Sequence, residues 1–92
     1  MLKLENRRCS IEIIADILRL GEASKAEIIY AAKMSYYQSK KYLDHLLKLE
    51  LLDRAMTGNQ LVTYRVTKKG LNLLRDIDVI QKMLEGKEQI DI

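Results

Sequence analysis

The stretch SKAEIIYAAKMSYYQSKKYL, residues 24 to 43, carries one local signal twice. Ser24 is followed three residues later by Glu27, and Ser35 by Gln38. In such a pair the serine hydroxyl accepts from the backbone N–H three residues on. The Glu or Gln side chain reaches back to the serine's own N–H, so two orphan donors of a helix start are satisfied together. Each cap stabilises its helix by about 1 kcal/mol. The two starts lie 11 residues apart. Between them there is room only for a short helix through about Ala32 and a tight turn. A further helix then runs from Tyr36 to about Leu49. Two helices joined in this way form a helix-turn-helix.

Upstream, residues 7–20 read RRCSIEIIADILRL. Ile11, Ile14, Ala15 and Leu18 recur at helical spacing, and Ile13 and Ile17 widen the stripe. Gly21 suits the end of this first helix, because it enters the left-handed region without steric cost. Downstream of Leu51 the period changes from helical to alternating. LLDRAM (51–56) and LVTYRV (61–66) flank TGNQ, and Gly58-Asn59 is read as the source of the positive φ values of a tight hairpin turn. Val62, Tyr64 and Val66 share one face, Thr63 and Arg65 the other. Thr67 caps a last helix over 68–85, which Gly86 is expected to end.

The order is helix, helix, helix, hairpin, helix: a mainly α chain with a small β-hairpin, the winged helix-turn-helix architecture. The 92 residues suit a single domain over 1–92, divided into a helix-turn-helix plus wing at 7–66 and a C-terminal helix at 67–86. A chain of this size buries only about 60–65% of its unfolded surface, so it can fold alone but a partner chain adds to a small core.

Charge narrows the classes of partner. The net charge is +3, but residues 24–69 hold nine Lys/Arg against four acids, while residues 70–92 hold three against five. Positive charge is concentrated in the middle of the chain, where an anionic partner is met. Cys9 is the only cysteine, so no disulfide forms within the chain, and a cytoplasmic location is expected. Arg7 and Arg8 beside it favour the thiolate, yet a passive helix residue is the preferred reading. No apolar run reaches the roughly 20 residues of a membrane span. His45, the sole histidine, has no second ligand at metal-binding spacing. Asp76 and Asp78 are two apart on a helix and do not face each other. Neither a phosphate loop nor a nucleophile motif is present. The expectation is no enzyme, no cofactor, no metal, no membrane partner and no small-molecule substrate.

On a wheel at about 100° per residue, Tyr36, Ser39, Leu43, Leu46 and Leu47 of the third helix share one face. Tyr37, Gln38, Lys41, His45 and Lys48 lie opposite, with Lys40 and Tyr42 on the flanks. Tyr36 is therefore read as a core or turn-packing residue and Tyr37 as outward. The start of the second helix of such a motif meets base edges and phosphates. Here it offers Ser35, Tyr37, Gln38, Lys40 and Lys41. Gln pairs with adenine, Lys with guanine or phosphate, and Tyr with phosphate oxygens or a thymine methyl. The helix dipole favours a phosphate near Ser35. Lys25 is placed for a backbone contact, and Arg54, Asn59, Gln60 and Arg65 belong to the wing. The bland alternatives are solubility for Lys40 and Lys41, and capping alone for Gln38.

Leu73, Ile77, Ile80 and Leu84 recur in the last helix at heptad-like spacing, with Met83 beside them. This set is read as the interface of a homodimer, with Leu71 and Leu74 packing on the chain's own domain. The alternative is that the whole stripe folds back on the first helix.

The run IEIIADIL…SKAEIIYAAKMSYYQSKKYLDHLLKLELLDR…TYRVTKKGLNLL resembles the small archaeal winged helix-turn-helix proteins. These include predicted transcriptional regulators and ten-kilodalton chromatin-type proteins that dimerise through a C-terminal helix. The resemblance covers roughly residues 8–85, and SYYQSKKYLDHLLKLELL and YRVTKKG are its most specific parts. It implies double-stranded DNA binding, with a recognition helix at Ser35–Leu49, a wing around Thr57–Gln60 and antiparallel helix pairing from about Leu73. Glu50 departs from the pattern, standing where such proteins often place Gly. Ser39 also departs, standing where a larger aliphatic is common.

Two functions from different classes follow. The first is a homodimeric, nucleoid-associated DNA-binding protein or transcription regulator. The second is a winged helix used for protein–protein interaction, with the Tyr37/Tyr42 flank or the last helix as its partner surface. RNA binding ranks third, since no stacking-sheet motif is present.

Overall fold

A computed structural model describes residues 10–90, with side chains through residue 85. The readings at Arg7, Arg8 and Cys9 lie outside the described residues. The elements are α1 (Ser10–Arg19), β1 (Glu22–Ser24), α2 (Lys25–Ala32), α3 (Tyr36–Lys48), β2 (Leu52–Met56), β3 (Val62–Val66) and α4 (Lys68–Ile90).

Both capping boxes form. The Glu27 N–H donates to Ser24 Oγ at 3.3 Å, and the Ser24 N–H donates to Glu27 Oε1 at 2.8 Å. At α3, Gln38 N–H to Ser35 Oγ is 3.0 Å, and Ser35 N–H to Gln38 Oε1 is 3.1 Å. The turn between the two helices is made by Lys33 in the left-handed region (φ 54). Its N–H donates to the Tyr30 carbonyl, and the next N–H, of Met34, donates to Ile29. This is a Schellman closure made without glycine. Met34 is thereby swung into the core.

The end of α3 repeats the device. Glu50 has φ 65, its N–H donates to the Leu47 carbonyl, and the Leu51 N–H donates to Leu46. Glu50 thus does the work of the glycine expected there. Leu46 and Leu51, the pair that such a motif brings together, are both buried.

Ile17 and Leu18 of α1, Ile28 and Ala32 of α2, and Leu43 and Leu46 of α3 form the core with Met34, Leu51 and Leu52. Fully burying one such leucine or isoleucine stabilises the fold by about 1.5–3 kcal/mol. Ser39 is completely buried among them, and its hydroxyl donates to the Tyr36 carbonyl at 2.6 Å. That bond satisfies the hydroxyl where a larger aliphatic was the commoner choice. Ile11, read as part of the core stripe, is exposed instead. It lies in the first turn of α1, ahead of the buried residues Ala15, Ile17 and Leu18 of that helix.

The hairpin differs from expectation in two respects. It gains a third strand: β1 pairs antiparallel with β3, giving the order β1-β3-β2. Three residues are too few to show alternation, so only the free side of β3 signals this strand. The turn also takes another form. Gly58 and Asn59 do not have positive φ; Gln60 does, at 66°. The Gln60 N–H donates to the Thr57 carbonyl, and Thr57 and Leu61 close the loop. The three-residue loop needs its left-handed residue last, where the two-residue hairpin needs it earlier.

α4 starts as expected at Thr67, whose Oγ1 accepts from the Gly70 N–H at 2.9 Å. It does not stop at Gly86 but runs to Ile90. One glycine costs a helix about 1 kcal/mol, which need not end it. Arg19 at the end of α1 forms an ion pair with Asp78, tying the two helices together. Among the described residues no helix is long and apolar enough to cross a membrane.

Candidate nucleic-acid interface

The buried face of α3 is Ser39, Leu43 and Leu46, with Tyr42 and Leu47 half-buried. Its exposed face therefore includes Ser35, Tyr37, Gln38, Lys40, Lys41, His45 and Lys48. Lys40 lies 3.7 Å from Asp44 one turn on, an exposed i,i+4 pair. Such a pair contributes little and is readily exchanged for another anion. The Lys41 ammonium lies 5.3 Å from the centre of the Tyr37 ring. Gln38 spends its Oε1 on the cap of Ser35, so its carbonyl end is engaged in structure.

Tyr36 does not enter the core. It is 64% exposed, close to the 69% of Tyr37. A wheel assumes that the core runs the whole length of a helix, but here it begins only at Ser39. Lys25, the first residue of α2, fills the space over the Tyr36 ring at 4.9 Å from its centre. Both tyrosines thus stand at the surface, each beneath a lysine, and the two pairs flank the first turn of α3. Pairing the two starts through Lys25 and Tyr36 is a tertiary contact that neither cap alone could signal.

Tyr42 closes the back of this region, its hydroxyl donating to Ser10 Oγ at 3.1 Å. Beside it Ser10, Ile14, Gln38, Lys41 and His45 line an open groove of about 410 Å³.

On the wing, Arg54, Asn59 and Gln60 are exposed. Arg65 is exposed as well, but its cross-strand partners are Asp53 on one side and Glu22 on the other. Two carboxylate residues therefore flank it on the outer face of the sheet. Arg54 lies on the opposite face, in register with Tyr64. The sequence reading grouped these two arginines; the register separates them. The same reading passed over Met56 and Leu61, both exposed beside the turn.

The four aliphatics read as a seam in α4 also divide. Ile77 is buried and Leu73 half-buried against the chain's own core, whereas Ile80, Met83 and Leu84 are exposed together with Val79. Leu71, expected to pack inward, is exposed. Among the described residues no group of three metal-ligating side chains is close enough to hold an ion.

A capped helix pair, a basic helix start at the surface and a hairpin joined by β1 into a three-stranded sheet define the winged helix class. The chain belongs to the winged helix-turn-helix family, whose sequence pattern matches residues 7–85. It is similar to Sso10a-2, a DNA-binding protein from Sulfolobus solfataricus, with 30% identity and a TM-score of 0.77. That match covers 91% of this chain and 90% of the other. The fold is also that of the transcriptional regulator BldR from Sulfolobus solfataricus (16% identity, TM-score 0.78, 97% of this chain and 67% of that one). The multiple antibiotic resistance repressor MarR shares it too (13% identity, TM-score 0.76, 96% and 67%). The chain thus spans about two-thirds of the length of these two regulators. No curated protein matches the sequence.

Proposed function

We propose that the chain is a homodimeric DNA-binding protein, acting as a transcription regulator or a nucleoid-associated protein. The observation that carries this reading is the start of α3. It exposes Ser35, Tyr37, Lys40 and Lys41, with Lys25 alongside, and no acidic residue lies in its first turn. The description of Sso10a-2 as a DNA-binding protein, at 30% identity over nearly the full length, supports it. In this reading α3 enters the major groove, Lys25, Lys40 and Lys41 meet phosphates, and Tyr37 touches a phosphate or a thymine methyl. Arg54, Asn59 and Gln60 reach the flanking duplex from the wing. Arg65, with the acidic residues Asp53 and Glu22 opposite it on the neighbouring strands, contributes least. The exposed Ile80, Met83 and Leu84 of α4 favour pairing with a second copy.

A gel shift of duplex DNA over a salt series tests the reading. Binding is expected to weaken linearly on a log–log plot as counterions are released. Lys40→Glu with Lys41→Glu is expected to abolish it at every salt concentration. Undiminished binding by that double variant would show that the surface is assigned to the wrong face.

A further inference from the structure

The capping box of α3 fixes which way the Gln38 amide faces. The Ser35 N–H donates to Gln38 Oε1 at 3.1 Å, and the Ser35 hydroxyl lies 3.5 Å from the same oxygen. Only the oxygen end of an amide accepts from an N–H, so the bond itself assigns the two ends. The Nε2 end is left with two N–H donors and no partner among the described residues. Gln38 is exposed and lines the groove that also holds Lys41 and His45, and no carboxylate lines it. Lys41, one turn on, brings three donors and no acceptor. The box of α2 differs in this respect. Glu27 holds the equivalent place there, and a carboxylate has no donor to spare. The box of α3 thus caps its helix equally well while presenting donors, with no acidic residue in the first turn.

We propose that Gln38 and Lys41 read guanine through its N7 and O6 acceptors, the capping bond deciding the base. This rests on the DNA-binding reading above and gives it a base preference. An unengaged glutamine pairs with adenine by presenting its oxygen and nitrogen together to N6 and N7. In this chain the oxygen is already spent, so that pairing requires Gln38 to leave its cap. Guanine offers two adjacent acceptors in the major groove, whereas thymine offers one and cytosine only a donor. One N–H from Gln38 and one from Lys41 meet both guanine acceptors with the cap intact. The adenine contact expected of a glutamine from its residue type gives way to guanine because of a hydrogen bond made three residues away.

The test selects duplexes with a randomised central segment on the full chain at low salt and sequences those retained. Wild type is expected to enrich guanine about tenfold over adenine at one position. Replacing that guanine by 7-deazaguanine, which lacks the N7 acceptor, is expected to weaken the selected duplex about tenfold. Gln38→Glu keeps an acceptor for the Ser35 N–H and exchanges the outward donors for an acceptor. It is expected to stay folded by circular dichroism and to move the preference at that position to cytosine, whose N4 donates. Each preference is read within one pool, so a uniform weakening by the added negative charge does not enter. If that variant retains no duplex, the 7-deazaguanine comparison on wild type decides alone. Enrichment of adenine at the position that Gln38→Glu alters overturns the proposal, as does undiminished binding of the 7-deazaguanine duplex. A glutamate variant that selects the same sequences as wild type shows Gln38 to be a cap only and overturns it too. Retention without base preference assigns the donors to phosphates, which overturns guanine reading and leaves DNA binding standing. If wild type retains no duplex even at low salt, the DNA reading and the guanine reading fall together.

Discussion

Gly70 shows how much one residue decides. A Cβ at this position would lie 2.3 Å from the Leu51 carbonyl oxygen and 2.8 Å from Val66 Cγ2. The first neighbour is backbone and cannot rotate away. Close approach, rather than a positive φ, is what this glycine supplies. Gly70→Ala gains up to about 1 kcal/mol of helix propensity but overpacks the junction by about 1–3 kcal/mol. A net loss of stability is expected, read as a lower urea midpoint at unchanged slope; an unchanged or raised midpoint would refute the close contact. Glu50 is the converse case. It adopts φ 65 despite its side chain, and the carbonyl it turns outward accepts from Thr67 Oγ1 at 2.7 Å.

Between elements, the pairing of Lys25 with Tyr36 links the start of α2 to the start of α3. A cation over an exposed ring contributes about 0.5–1 kcal/mol, enough to bias where the ammonium spends its time. In the DNA-binding reading Tyr36 is a positioning residue for Lys25. Tyr36→Phe is expected to bind DNA as wild type does, and Tyr36→Leu to fall to the level of Lys25→Gln. The Tyr36→Leu/Lys25→Gln double variant is expected to be no weaker than either single change. Additive losses in that cycle would disprove the coupling. The capping boxes, α3 and the two hairpin strands were legible in the sequence because each rests on chemistry within a few residues. β1, the exposure of Tyr36, and the division of Arg54 from Arg65 were not, since each depends on which element lies alongside. Ile77 was legible as apolar but not as covered, because period alone does not say which neighbour supplies the cover.

At the scale of the molecule, α4 outruns the body it starts from. Its 23 residues correspond to about 34 Å of helix, and the chain extends 54 Å along its longest axis against 20 Å along its shortest. Val79, Ile80, Met83 and Leu84 stand exposed on the outer part. Ile80→Lys with Met83→Lys is expected to shift sedimentation from dimer to monomer without lowering the helix content. Sedimentation that stays unchanged would rule out this face as the contact between copies. In a two-fold pair the DNA half-sites fall about 34 Å, one helical turn, or a multiple apart. Thr67 then acquires a mechanical meaning. Its N–H donates to the Leu51 carbonyl, and its hydroxyl donates to the Glu50 carbonyl while accepting from Gly70. One residue welds the end of α3 to the beginning of α4, so in the homodimeric DNA-binding reading no hinge lies between the helix that meets DNA and the helix that pairs. In that reading, tolerance for differently spaced half-sites comes from rotation where the two copies of α4 cross.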